Sequence, residues 1–490
     1  MRAARAVVGN WRPAGLSGGG EIGWGGAMGF APPLADFGRP GAEAAVWIAA
    51  FFSFAMLLLV DWTLSVLSGG VSTAVVSLYV APWIAIAAAR PRALIAGLKE
   101  GWPLFLLPIF ALMSTAWSGY PSATFKSASE YLLTTLTAVA AASCVRPKTL
   151  LSALLTSLAL VVAVSAAFNV ERATNVGLFG SKNNFGLAVA TLLPVGWAVA
   201  ADRRQPGAFR LLGAAAVIGA PPLLLQSDST GALICSLATA AAVCGALALS
   251  RLTPMARIGT LALLTCAVAI PAVTWLAGGD LDQVLNAVGK DSTLTGRTTL
   301  WSAAEASIAA HPTLGVGYQA YWQLGSWGAE QLWKLSYVAN KTGYHFHDTY
   351  LQVSVDLGLV GLAIFLVTLL AMLARIARAL VFSRMAPEAM FAIYVVVLML
   401  LRSPIEVDLF WQFQIPTIVF CMAWIYLVAA PAPASSWSES RLRRPLRPPA
   451  RHDFGGTGQN AWSQPQPRTA LRLEWLTQVE SRGEDVRGRR

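Results

Sequence analysis

Charge is the first thing this chain lacks: only 12% of its 490 residues are Asp, Glu, Lys or Arg, against 56% hydrophobic. A soluble domain of this size cannot cover its surface with so few charged groups, so a soluble reading is excluded. Histidine is nearly absent, with four in the whole chain, and cysteine numbers five. Cys144, Cys235, Cys244, Cys266 and Cys421 all fall in or at the ends of apolar runs, with no metal-ligand spacing and no pairing pattern, which leaves them as packing residues. There is no Walker loop, no dinucleotide fingerprint, no Cys-x-x-Cys pair and no histidine pair at helical spacing. No apolar core followed by a small-residue cleavage site opens the chain, so residues 1–43, rich in Gly, Ala and Pro, are expected to be a disordered cytoplasmic segment, not a signal peptide.

Long apolar runs are what the chain has instead. Apolar windows recur near 45–67, 71–89, 103–117, 129–145, 150–168, 184–201, 209–225, 230–249, 257–277, 349–373, 388–402 and 411–430, the third and eleventh being the shortest. Each is close to the length that crosses a hydrocarbon layer of about 30 Å. The pattern predicts an all-α polytopic membrane protein of about twelve spans, with a transmembrane domain over 44–430. Lys and Arg follow every even-numbered span: Arg90, Arg92 and Lys99; Arg146 and Lys148; Arg203, Arg204 and Arg210; Arg251 and Arg257; Arg375, Arg378 and Arg384. Retention of basic residues in short cytoplasmic loops then puts both termini inside and the long 278–348 segment outside. The net charge of +11 is this signal plus a basic tail over 431–490, expected to be disordered, and does not indicate nucleic acid.

Polar reactive groups gather in one interruption, 291–361, which holds three of the four histidines and Arg297. Within it, 298–309 has the periodicity of a short helix presenting Trp301, Ala304 and Ile308, stopped by His311-Pro312. A second run, AEQLWKLSYV, places Leu332, Trp333 and Tyr337 at near-helical spacing, as in a piece lying on the membrane surface. Thr349 and Gln352 match a capping box at the start of span ten, with His345, His347, Asp348 and Tyr350 at or just ahead of that end. Elsewhere on the same side, Lys182 and Asn183 open span six, where they could bind an anion or serve as a snorkelling lysine and a cap. Gln226, Ser227, Asp228, Ser229 and Thr230 form a polar turn between spans seven and eight. Arg402, Glu406 and Asp408 close span eleven.

Taken in order, LMSTAWSGYPSATFKSA, GLFGSKNNFG, GRTTLWSAA, HPTLGVG, HFHDTYLQVSVDLGLVG and RSPIEV resemble the O-antigen ligase and polymerase superfamily of bacterial surface-polysaccharide enzymes. The resemblance spans about 320 residues and is nearer the exopolysaccharide-polymerase branch than the lipid A-core ligases. It implies an inner-membrane transferase that uses a glycan carried on undecaprenyl pyrophosphate, works at the periplasmic face, and needs no metal or other cofactor. By motif position it implies Arg297 as the essential loop arginine and His347 as the histidine ahead of the helix. Lys182, Asn183, Ser227, Ser229, His345, Asp348 and Tyr350 would then contact substrate. The acceptor would be a glycan, lipid A-core or a protein, and chain-length and export proteins are possible partners. Residue chemistry fits: a planar guanidinium suits a departing pyrophosphate and a histidine suits a sugar hydroxyl. A transporter or flippase is the rival reading, but no internal repeat is visible and the candidate groups sit at outer loops.

Overall fold

The computed structural model describes residues 40–59, 69–172, 175–263, 297–336, 338, 341, 344–382 and 386–428, and all regular structure among them is helical. In chain order the helices are α1 (Pro40–Leu58), α2 (Gly69–Ala89), α3 (Pro91–Gly101), α4 (Leu106–Met113), α5 (Pro121–Cys144), α6 (Pro147–Arg172) and α7 (Lys182–Ala201). They continue with α8 (Gly207–Gln226), α9 (Thr230–Leu249), α10 (Arg297–Ala310), α11 (Trp327–Leu335), α12 (Thr349–Phe382), α13 (Pro387–Arg402) and α14 (Ile415–Val428). A further helix opens at residue 254 and is described to 263, so most of the predicted ninth span, and the segment to 296 with it, lies outside the described residues. The 1–39 and 431–490 segments lie outside them too.

Seven of the described helical stretches are long and apolar enough to cross a membrane, with shorter apolar helices beside them. At 1.5 Å per residue the 20 residues of α7, α8 and α9 each cover about 30 Å, one hydrocarbon thickness. The protein is a polytopic helical membrane protein. One continuous apolar core joins α1, α2, α5, α6, α7, α13 and α14, and the large apolar side chains left outside it, such as Phe52, Ile84, Leu211, Ile218, Leu237 and Val367, form the lipid-facing surface. In lipid every backbone group must be bonded internally, which helices achieve within each span.

Several boundaries differ from the sequence expectation. The connection after α2 is Arg90 alone, because Pro91 starts a new helix at once, and Arg92 and Lys99 lie on α3. The turn before α5 shrinks to 117–120, since Pro121 occupies a favoured first helical position. Trp117 at its start donates its indole N–H to the Leu314 carbonyl at 3.1 Å. Helix α11 buries Ala329, Leu332 and Trp333 in a satellite core with Leu300, Ala304, Trp322, Phe346 and Val355 and leaves Trp327 and Leu335 exposed, while Tyr337 lies outside the described residues. Helix α10 ends before His311-Pro312 as expected.

Helix α12 breaks at Gly358, whose φ of 65° and ψ of −168° only glycine adopts readily. A Cβ there would lie 2.3 Å from the Thr313 carbonyl carbon. The break frees backbone groups, and the HPTLGVG loop takes them up. Val316 N–H and Gly317 N–H donate to the Val355 and Asp356 carbonyls, while Leu359 and Val360 N–H donate to the Pro312 and Thr313 carbonyls, all at 2.8–3.2 Å. Large exposed apolar residues on α12 begin only at Leu359. The first nine residues of α12 are therefore packed into neighbouring loops, and its exposed apolar face starts at Leu359, although the whole helix from Thr349 is long and apolar enough to cross a membrane.

The basic connections collect at the other end. Glu43 pairs with Lys148 at 3.0 Å and with Arg146 at 3.7 Å, Gln205 donates to the Lys148 carbonyl, and Arg204 bridges Asp202 and Glu388 at 2.8 Å each.

Candidate active site

The loop 403–414 between α13 and α14 carries Glu406, and three of the candidate groups, Arg297, Asn183 and His347, bond to its carboxylate. Arg297, the first residue of α10, donates from Nη2 to Glu406 Oε1 at 3.0 Å and from Nη1 to the Ile405 carbonyl at 2.7 Å. Asn183 Nδ2 donates to the same Oε1 at 2.8 Å. On the other oxygen, His347 Nδ1 lies 3.1 Å from Oε2 and His345 Nε2 lies 3.9 Å away. The carboxylate is buried while Arg297, His345 and His347 are about one-fifth exposed, so the group reaches the protein surface through its guanidinium and rings.

The loop is held rigidly. At its base Arg402 and Asp408, both buried, form a two-point pair with Nε–Oδ2 at 2.5 Å and Nη2–Oδ1 at 3.3 Å. Thr349 ties it to α12, donating its N–H to the Ser403 carbonyl at 2.8 Å and its hydroxyl to the Glu406 carbonyl at 2.7 Å. This corrects the expected capping box. Thr349 is spent on the 403–414 loop, and the cap is Asp348, whose Oδ1 accepts from Leu351 N–H at 2.9 Å. Gln352 Oε1 accepts from Phe346 N–H and Trp322 Nε1 instead, fixing the histidine strand against the satellite core.

His347 sits at φ 54°, a left-handed conformation unusual for a residue with a Cβ. Its N–H donates to His345 Nδ1 at 3.0 Å. Burial, with the charges of His347 and Arg297, lowers the His345 pKa to about 3, Glu406 opposing, so this ring stays neutral. Burial alone would raise Glu406, but the His347 hydrogen bond and the nearby positive charge, Arg402 included, outweigh it and hold the carboxyl at about 2. A carboxylate facing His347 Nδ1 selects the tautomer with the proton there, leaving Nε2 as an open acceptor.

The other predicted residues occupy supporting places. Asn183 spends both ends of its amide, accepting from Ser229 Oγ at 3.1 Å while it holds Glu406. That reach requires α7 and α9 to approach closely at Gly186, where a Cβ would lie 2.9 Å from Ser229 Cβ. Ser229 caps α9, and Ser181, not an asparagine, caps α7. Ser227 is fully buried, with its hydroxyl donating to the Leu224 carbonyl and accepting from Ser229 N–H, so it holds the turn and offers nothing to a ligand. Lys182 is exposed and paired with Asp228 at 3.3 Å. Tyr350 packs edge-on against Phe365. Glu406, seen in the sequence only as one of three charges closing a span, is the residue whose centrality was missed. A buried acid two residues from another, after an arginine and just beyond an apolar run, is the signal that could have marked it.

Among the described residues, His345, His347 and Glu406 also bring one possible metal-ligand atom each to within 4.8 Å. The fit is poor. His345 Nδ1 already accepts the His347 N–H, so a neutral ring carries its proton on Nε2, the atom that would have to ligate. Arg297 occupies the same carboxylate.

A membrane bundle with a carboxylate-oriented histidine and an arginine at one end defines a candidate membrane-embedded transferase site. The comparisons agree with that class. The O-antigen ligase family model matches residues 214–366. The chain is also 28% identical over 386 residues to the exopolysaccharide production protein ExoQ of Rhizobium meliloti (strain 1021), covering 77% of this chain and 87% of that protein. Both findings support the O-antigen ligase and polymerase superfamily and a role of that type in exopolysaccharide production.

Proposed function

We propose that the protein polymerises glycan repeat units at the periplasmic face of the inner membrane, with its termini in the cytoplasm. It would transfer a glycan from undecaprenyl pyrophosphate to a sugar hydroxyl. The observation that carries this reading is the single carboxylate of Glu406, shared between Arg297 and His347. His347 Nε2 takes the acceptor hydroxyl proton as the oxygen attacks the anomeric carbon. The bond from that carbon to the pyrophosphate oxygen breaks, and the leaving group departs with its electron pair. Attack opposite the leaving group inverts the anomeric centre.

Arg297 has five N–H donors, of which two serve Ile405 and Glu406, and the remainder can hold the pyrophosphate. Lys182, exposed on its pair with Asp228, supplies a second cation to that group once Asp228 is displaced. Asp348 and Asn183 then act as supports, and no step requires a metal. Outward orientation of the site is favoured by the basic residues collected at the opposite end of the bundle.

Similarity to an exopolysaccharide production protein favours polymerisation over ligation to lipid A-core. The test is purified protein supplied with a polyprenyl-pyrophosphate oligosaccharide: release of polyprenyl pyrophosphate with chain growth supports the reading. A donor moved across a vesicle membrane unchanged would indicate a transporter. In a deletion strain, loss of polymer with single units remaining indicates a polymerase, whereas unattached polymer indicates a ligase.

A further inference from the structure

The 403–414 loop carries three aromatic residues with different fates. Phe410 and Phe413 are buried, packed edge-on against Tyr318 at 4.9 Å and Tyr79 at 5.9 Å. Trp411 between them is only partly buried: it packs against the main core, and its ring centroid lies 6.0 Å from that of His345. His345 and His347 lie 4.2 Å apart, and Tyr344 continues the row 6.2 Å beyond His347. Thr417 Oγ1 donates to the Trp411 carbonyl at 2.9 Å and steadies the backbone, while the indole N–H has no protein partner among the described residues. A membrane-belt tryptophan would sit among the exposed lipid-facing residues, and this one is not there.

We propose that Trp411, with His345, forms the subsite for the acceptor sugar ring, an inference that rests on the transferase reading above. A pyranose has an apolar C–H face and a rim of hydroxyls. The indole face covers the first by removing apolar surface from water, and an edge donor meets the second. Neutral His345, with Nδ1 taken by the His347 N–H, offers Nε2–H as a further donor. A ring stacked on Trp411 lies alongside His347, so one of its hydroxyls can meet Nε2. The class of ligand is a pyranose at the growing end of a saccharide. An anionic lipid headgroup would instead call for cations, which lie on the Arg297 and Lys182 side.

The experiment uses the full-length protein in detergent and, as probe, the repeat-unit oligosaccharide freed from its lipid by mild acid. Calorimetric titration gives Kd, and transfer assays give KM for acceptor and donor separately. Trp411→Ala should raise both the oligosaccharide Kd and the acceptor KM about tenfold, equivalent to about 1.4 kcal/mol, with donor KM unmoved. Trp411→Phe, which keeps a stacking face, should recover most of that loss. Trp411→Leu keeps apolar bulk without a ring and guards against a variant that simply unfolds. Folded Trp411→Leu binding the oligosaccharide as the native protein does overturns the subsite. Transfer that persists with Trp411-independent binding removes the subsite alone. Trp411-dependent binding without donor consumption removes the transferase reading and leaves the subsite standing.

Discussion

Glu406 Oε2 lies 3.1 Å from His347 Nδ1, while Oε1 of the same carboxylate accepts from both Arg297 and Asn183. The two donors on Oε1 and the ring on Oε2 make the two oxygens chemically distinct, and that distinction sets which histidine nitrogen is free.

Glu406→Gln should therefore lose activity although its shape is unchanged. Arg297 and Asn183 demand an acceptor, so the amide oxygen takes the Oε1 place and the NH₂ faces His347 Nδ1. The ring is then forced to carry its proton on Nε2, where it cannot accept another. Loss of general-base action predicts a fall in turnover of about 100-fold or more, with donor binding retained. Near-native turnover in a folded Glu406→Gln protein would show that His347 needs no orienting carboxylate.

Arg297→Lys should lose most activity with normal insertion. One ammonium cannot span the Ile405 carbonyl, the Glu406 carboxylate and a phosphate as a planar fork does. Steady-state turnover with purified donor checks this, and an active lysine variant would reduce Arg297 to a loop brace.

Acid should destabilise the satellite core and its neighbouring loops through His345. Its folded pKa of about 3 is depressed below the ordinary histidine value, about 6.5, so the unfolded chain binds the extra proton between the two. Stability is then fully present above about pH 6.5 and falls as pH drops toward 3, at up to about 1.4 kcal/mol per unit for one proton. Glu406, depressed to about 2 from about 4.3 in the unfolded chain, adds its own loss only below about pH 4.3. Thermal melts from pH 7.5 to 5 should thus be flatter in His345→Gln; identical slopes would contradict a buried neutral ring.

Arg402 and Asp408 should matter as a pair. Removing either leaves an uncompensated buried charge and costs about 3–5 kcal/mol, whereas replacing both with apolar residues of similar volume restores much of it. Melting temperatures of Arg402→Met, Asp408→Leu and the double variant decide it. Additive losses in the double variant would mean that the pair is not a closed unit.

The apolar runs, their lengths and the alternation of basic connections were sufficient to expect a many-span helical membrane protein, because burial in lipid acts on composition alone. The short helix ending at His311-Pro312 was legible for an equally local reason. Arg297 and the histidines stood out because reactive groups are scarce here, and the structure brings them together. What the sequence could not disclose depends on distance along the chain. Glu406 meets Asn183 across 223 positions and Arg297 across 109, and nothing local distinguishes a carboxylate at a hub from one capping a span. The cap moved from Thr349 to Asp348 for the same reason, since a hydroxyl claimed by a remote carbonyl cannot also close its own helix. The break at Gly358 likewise needed a partner, the loop at 312–317, to satisfy the backbone it freed. Local periodicity determined the elements; the long-range competition for each donor and acceptor decided which residues form the site.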